Sequence, residues 1–442
     1  MYTLNIGKDA PEDSPVCSRL QEVTFNSIRK VLPDKAIEQA CTAVGYSFRN
    51  RILTPIVTIL HMILAAIWPE ESFQASWQMI WDNMVAAFPS LKGKEPSSGS
   101  LAKARLRLPL ALWERVWDYL VDEVQTLSEP FARWHTHRVV LVDGTCLSMP
   151  DTPSLHEHCG TSRGRGDKHP YPLARIVTVA LANTFSVLGF AVDRYNVGEI
   201  HLLRRLFHKL QPNDLLVGDR HYAGANLYAE YLAAGLQFLT RAHHKLNISR
   251  LRRVVRYGPN DFLADLPINP LYRRKNPALP ATVRVRLIKA VMRIRGHRQV
   301  VWFATSLLDS KEYPAKEIVA LYARRWRIET LLFQLKVGLS ADVLRSKTPD
   351  GVLKEIAARM AALNVVRAIM LEAATTYGQD PTTLSFVHSL RAILAFAPHL
   401  ATAAVWKLPM IYQAMLHQIA IGCIRQRPGR LEPRMVRREN KH

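Results

Sequence analysis

The 442-residue chain is predicted to be a mixed α/β protein, with a sheet-containing core flanked by helical regions at both ends. Three observations predict this class. Residues 1–135 carry apolar positions at helical spacing, residues 136–242 and 299–306 carry β-branched runs interleaved with helical segments, and helical period returns from Val352 to Cys423.

In the first region, Ala36–Val44, Leu53–Trp68, Phe73–Phe88 and Leu110–Val124 have helical period, with breaks at Pro69, Pro89 and the Glu95–Ser100 turn. After that turn Lys103, Arg105 and Arg107 sit on a short helix that Ser100 is placed to cap, either as a DNA-reading element or as a solvated basic face. The core then opens with the strand Val139–Val142, interrupted by Asp143-Gly144-Thr145, and a polar loop at Asp151–Pro172. Strand-like runs follow at Arg175–Leu181 and Val187–Tyr195, then a helix at Glu199–Leu210, a strand at Leu215–Gly218, a helix at Ala225–Ala234 and a strand at Leu236–Thr240. The order β-β-β-α-β-α-β is that of an RNase H-like core. Residues 243–298, rich in Arg and Pro, read as a β-rich insertion facing DNA. The core resumes over 299–375 with a strand at Val300–Ser306 and one long helix from Pro314 to Gly338, and 376–442 forms a helical region ending in a basic arm.

Fifty-nine Lys and Arg against 37 Asp and Glu give a formal charge of +22. Such a surplus favours a polyanionic partner through counterion release, beyond what solubility requires. Met1–Pro15 contains Asp9, Glu12 and Asp13 and no apolar stretch, so it does not read as a secretory signal. Ile52–Trp68 is shorter than the ~20 residues of a membrane span and reads as a buried helix. Five scattered cysteines fit a reduced, cytoplasmic compartment rather than a disulfide framework. His156-Glu157-His158-Cys159 lacks a second pair at zinc-finger spacing and reads as a polar loop.

Asp143 interrupts an apolar strand, where an unpaired charge is disfavoured, and Asp219 ends the neighbouring one. Each could also be a simple turn aspartate. Tyr322, Arg325, Glu329 and Lys336 lie at offsets 0, 3, 7 and 14 along the long helix. At ~100° per residue they fall within a ~60° sector. Ile318, Leu321, Ile328, Leu332 and Leu335 give that helix an apolar side, so the polar stripe is read as facing a site rather than open solvent.

Tyr322-x2-Arg325-x3-Glu329-x6-Lys336 resembles the "YREK" signature of DDE-class insertion-sequence transposases, in the branch whose RNase H-like fold is interrupted by a β-rich domain. Leu141-Val-Asp-Gly-Thr145 and Val217-Gly-Asp-Arg-His-Tyr222 resemble the blocks around the first and second aspartates. The resemblance spans roughly residues 30–435 and is weakest over 243–298. It implies cut-and-paste transposition by a homodimer acting on terminal inverted repeats and target DNA. It further implies that Asp143, Asp219 and Glu329 are catalytic and bind Mg²⁺, with Mn²⁺ able to substitute, and that Tyr322, Arg325 and Lys336 grip DNA phosphates. Trp302 occupies the strand where relatives place a base-stacking tryptophan, with a core role as the alternative; His221 is given no catalytic role. A nuclease that cuts without joining and a DNA binder that no longer cuts are the competing readings, against which stand the helical flanks and the complete triad.

Overall fold

The computed structural model describes residues 26–424 apart from 50, 70–71, 88–91, 162–170, 244 and 295–296, so the readings of the first fifteen residues and of the basic arm beyond 424 lie outside the described residues. Among the described residues six helices come first: α1 (Asn26–Val31), α2 (Asp34–Ala43), α3 (Pro55–Ile67), α4 (Phe73–Ala87), α5 (Ser98–Arg107) and α6 (Leu110–Ser128). Thr54 starts α3 by accepting a hydrogen bond from Val57 N at 3.3 Å, with Pro55 at the first helical position. Nearly every residue of α3 is buried, which explains its apolar run without a membrane; no described helix is long and apolar enough to cross one. Ser97, rather than the expected Ser100, caps α5 by accepting from Ser100 N at 3.2 Å. On α5, Lys103 and Arg107 are exposed, but the Arg105 guanidinium lies over the Phe73 ring at 4.1 Å and is thereby committed to packing.

The sheet begins with β1 (Arg133–Trp134) and β2 (His137–Ser148). After the short helix α7 (Pro153–Cys159) come β3 (Leu173–Leu181), β4 (Val187–Arg194), α8 (Glu199–Arg204), β5 (Leu215–Gly218), α9 (Ala225–Ala233) and β6 (Gln237–Arg241). Strands β2, β3 and β4 form an antiparallel meander, and β5 and β6 add in parallel beside β2. This mixed order, covered by helices, is the RNase H-like arrangement that the hydrophobic patterning predicts. Alternation along the strands sends Val139, Leu141, Leu215 and Val217 into one hydrophobic cluster and Val140, Val142 and Leu216 into another on the opposite face.

Residues 253–305 hold β7 (Arg253–Gly258), β8 (Asp261–Pro267), the helix α10 (Pro270–Lys275), β9 (Thr282–Ile294) and β10 (His297–Thr305). These strands extend the same sheet, in the order β4-β3-β2-β5-β6-β10-β9-β8-β7, with β10 antiparallel to β6. The patterning missed β7 and β8, because the edge strand β7 is exposed and carries Arg253 and Arg256.

The expected single helix from Pro314 to Gly338 is three pieces: α11 (Ala315–Ala323), α12 (Trp326–Phe333) and a π-turn at Gln334–Gly338. The carboxy-terminal region has α13 (Pro349–Tyr377), α14 (Phe386–Thr402) and α15 (Leu408–Ile421). Helix α13 is capped by Thr348, which accepts from Gly351 N at 3.2 Å, and ends at Gly378 in the left-handed region at φ 63°. It is buried on almost all sides and packs against both α6 and α3. Asn364 on α13 receives Val187 N at 3.0 Å and donates to Val187 O at 2.9 Å, fastening the helical region to the end of β4.

Candidate active site

The strand register sets the first two acids. Leu141 pairs with Val217 in the parallel β2–β5 ladder, so Asp143 and Asp219, each two residues further on, stand at the same level of adjacent strands. Both share the parity of Leu141 and Val217, whose side chains enter the cluster that also contains Leu321, Ile328, Leu331 and Leu335 from the helix segments. Glu329 lies on α12, which packs on β2 from that face. The three carboxylates therefore lie on the same side of the sheet.

Asp143 accepts from its neighbour Gly144 N at 2.9 Å, and Asp219 turns the chain into a single 3₁₀ turn by accepting from His221 N at 2.7 Å. Burial pushes the Asp143 carboxyl up to about 6; the Gly144 amide and Arg325 act against this, while the charges of Asp219 and Glu329 add to it. Arg325 stands between two of the acids: its Nη2 donates to Glu329 Oε1 at 2.6 Å, and its Nη1 is 3.9 Å from Asp143 Oδ2. Among the described residues no three His, Cys, Asp or Glu side chains are drawn together at ligating range. The acids sense one another electrostatically, with a guanidinium intervening.

Tyr322 is buried with its ring 4.6 Å from that of Phe303, and burial raises its hydroxyl to about 12, with Arg325 opposing the shift and Asp219 adding to it. Lys336 is half-buried on the π-turn; burial holds its ammonium below the usual value, against the pull of Cys146 and Asp342. Trp302 lies apart from this group on β10, half-buried, with its ring edge-on to Phe262 at 5.8 Å and Lys289 Nζ 6.0 Å from its centre. Among the described residues, His156, His158 and Cys159 on α7 form no group of three possible metal ligands.

The transposase DDE domain family matches residues 134–365, more than half of the chain and the whole stretch from β1 to the middle of α13. The chain belongs to the DDE transposase family. It is also 25% identical over 358 residues, covering 78% of each protein, to the transposase InsG for insertion sequence element IS4 of Escherichia coli (strain K12).

Two parts of this DDE transposase site had no signal in the sequence. Arg324 and Arg327, beside the break between α11 and α12, reach the β3–β4 turn: both donate to Asn183 Oδ1, at 3.2 and 3.1 Å, and Arg327 also donates to Ala182 O at 2.9 Å. These contacts join positions more than 140 residues apart. Glu199, the first residue of α8, comes up behind Asp143 against Gly144, which nothing in the run Val-Gly-Glu-Ile announces.

Proposed function

We propose that this transposase carries out cut-and-paste transposition of an insertion sequence by two-metal phosphoryl transfer, cleaving at terminal inverted repeats and joining the freed 3′ ends to target DNA. The observation that supports the reading is the placement of Asp143, Asp219 and Glu329 on one face of the sheet, with Arg325 between two of them. An all-carboxylate donor set suits a hard cation such as Mg²⁺ or Mn²⁺. The raised Asp143 carboxyl agrees, since burial beside two further acids leaves negative charge that a cation relieves. Bound as a pair, such ions would activate the attacking oxygen and stabilise the leaving one.

The chain's own residues supply the rest. Arg325, on the YREK-like stripe, carries a planar guanidinium suited to bidentate phosphate contact and is already held at the acids by Glu329. Tyr322 backs it from the buried side, and Lys336 brings a second cation from the π-turn. Trp302, half-buried on β10 against the opposite-face cluster, is assigned stacking on a displaced base from the resemblance alone. A homodimer would hold the two element ends together. The test is cleavage and strand transfer on a plasmid carrying the DNA that flanks the coding region. Asp143→Ala is expected to abolish both while end binding persists, and undiminished cleavage by that variant overturns the assignment.

A further inference from the structure

Behind the two aspartates, on the reverse face of the sheet, Glu199 touches both the strand segment that carries Asp143 and the turn that follows Asp219. Gly144 follows Asp143 and has the opposite parity, and a Cβ built on it would lie 2.6 Å from Glu199 Cδ, so the carboxylate occupies the space that only glycine leaves open. The same carboxylate accepts at Oε2 from the Tyr222 hydroxyl at 2.9 Å. Tyr222 is fully buried in the reverse-face cluster and closes the turn that starts at Asp219. Its Cβ lies 2.9 Å from where a Cβ on Gly218 would stand, so the tyrosine is seated directly under the Asp219 strand end. Arg175 Nη1 and His221 Nε2 flank Glu199, each at 4.0 Å. Glu199 is thus held from several sides, while its position behind Gly144 keeps it off the face that carries the three acids.

We propose that Glu199 is a positioning residue for the transposase reaction: through Tyr222 and the Gly144 backbone it braces the Asp143 strand segment and the Asp219 turn beyond the last β2–β5 pair, so that their carboxylates bind divalent ions together. The inference rests on the proposed role of those two aspartates. Partners that orient metal-binding side chains are worth about 10–100-fold in metal affinity or activity when removed. The brace is a hydrogen bond and a packing contact rather than a charge facing the ion, which sets the expected order of variants.

The experiment compares the full chain with E199A, E199Q, Y222F and the E199A/Y222F double variant in two assays. One is the Mn²⁺ concentration giving half the maximal rise in thermal unfolding midpoint of the DNA-free protein; the other is single-turnover cleavage of end DNA. Y222F and E199A are each expected to need roughly tenfold more Mn²⁺ and to cleave roughly tenfold more slowly. The double variant should be no worse than the poorer single one, because the two residues form one brace. E199Q, whose amide oxygen still accepts from Tyr222, should stay within about threefold of wild type. Additive losses, an E199Q as impaired as E199A, or an unchanged Mn²⁺ response in Y222F each overturn the brace. Should E199A fail to fold, Y222F and E199Q decide the matter. D143A run alongside separates the two levels: if it keeps its Mn²⁺ response and cleavage, the aspartate assignment itself is wrong, whereas silent Glu199 and Tyr222 variants beside an inactive D143A sink only the brace.

Discussion

Asp214→Ala should be among the most damaging single changes outside the carboxylate group. Arg138 opens β2 and Asp214 immediately precedes β5, so this pair ties the starts of the two strands whose far ends carry Asp143 and Asp219. The side chains are 3% and 2% exposed. Arg138 donates from Nε and Nη2 to the two Asp214 oxygens at 2.8 and 2.7 Å, and from Nη1 to Gln125 at 2.6 Å. Asp214 also receives Gln211 N at 2.8 Å. Alanine removes three of these bonds and leaves a buried guanidinium with Gln125 as its remaining partner among them. Breaking a buried pair from one side costs about 3–5 kcal/mol, mostly through the charge left behind. Replacing both members by apolar residues of similar volume, Arg138→Met with Asp214→Leu, should be far milder, since the stranded charge goes too. Urea unfolding reads the effect as a midpoint shift at constant slope. An Asp214→Ala loss below about 1 kcal/mol, or a double variant as unstable as the single, refutes the argument.

Three further outcomes follow from the site and its surroundings. Arg325→Ala should weaken binding to a cleaved element end by roughly tenfold while leaving general duplex affinity nearly unchanged, since it removes charge-assisted bonds made at one phosphate; equal losses in a gel-shift comparison count against that role. Cleavage should run with Mg²⁺ or Mn²⁺ and be suppressed by Ca²⁺, whose coordination is looser, and full cleavage in excess chelator defeats the metal assignment. His61 is buried beside Ser76, Phe73 and Trp77, and burial lowers its imidazole to about 3. A folded value depressed below the usual one makes its neutral form the stable one, so its contribution is whole above about pH 6.5 and is lost as the pH falls toward 3. Wild type should therefore lose about 2 kcal/mol more than His61→Gln between pH 7 and pH 5, and identical pH profiles of unfolding free energy for the two proteins rule this out.

How much of this was legible beforehand depends on whether the determining contact is local. The strands β2, β5 and β6 are buried on both faces, so their sequences are plainly apolar and the core order could be read from them. Strand β8 instead pairs its acids with arginines of β9: Asp261 with the fully buried Arg286, and Asp265 with Arg284. Neither partner announces the other across about twenty residues. The break between α11 and α12 runs through Arg-Arg-Trp-Arg, with no glycine or proline to mark it, because Arg324 and Arg327 hold it by their bonds to the β3–β4 turn. The π-turn is likewise tertiary in origin: Arg367, buried between the rings of Phe185 and Phe386, bonds Gln334, and Gly338 lies against Phe386.

The polar stripe was read on an assumption that fails. Offsets taken at a constant 100° per residue presume one continuous α-helix, yet Arg325 sits in a break and Lys336 in a π-turn. What persists is the short-range part: Arg325 and Glu329 are four residues apart and joined directly, whatever the helix does on either side. Main-chain pairing between β2 and β5 brings the two aspartates to a common level as far as the last ladder pair, Leu141 with Val217, and the proposed Glu199 brace acts on the residues beyond it. Glu329 owes its place to the packing of α12 and to the anchoring of the Arg324–Arg327 stretch on the β3–β4 turn, which is made of side-chain contacts at a half-exposed edge. The strand acids are thus the rigid half of the site. On the proposed assignment, a common ion would draw Glu329 in on its helix and displace Arg325, which is bonded to Glu329, from between the acids.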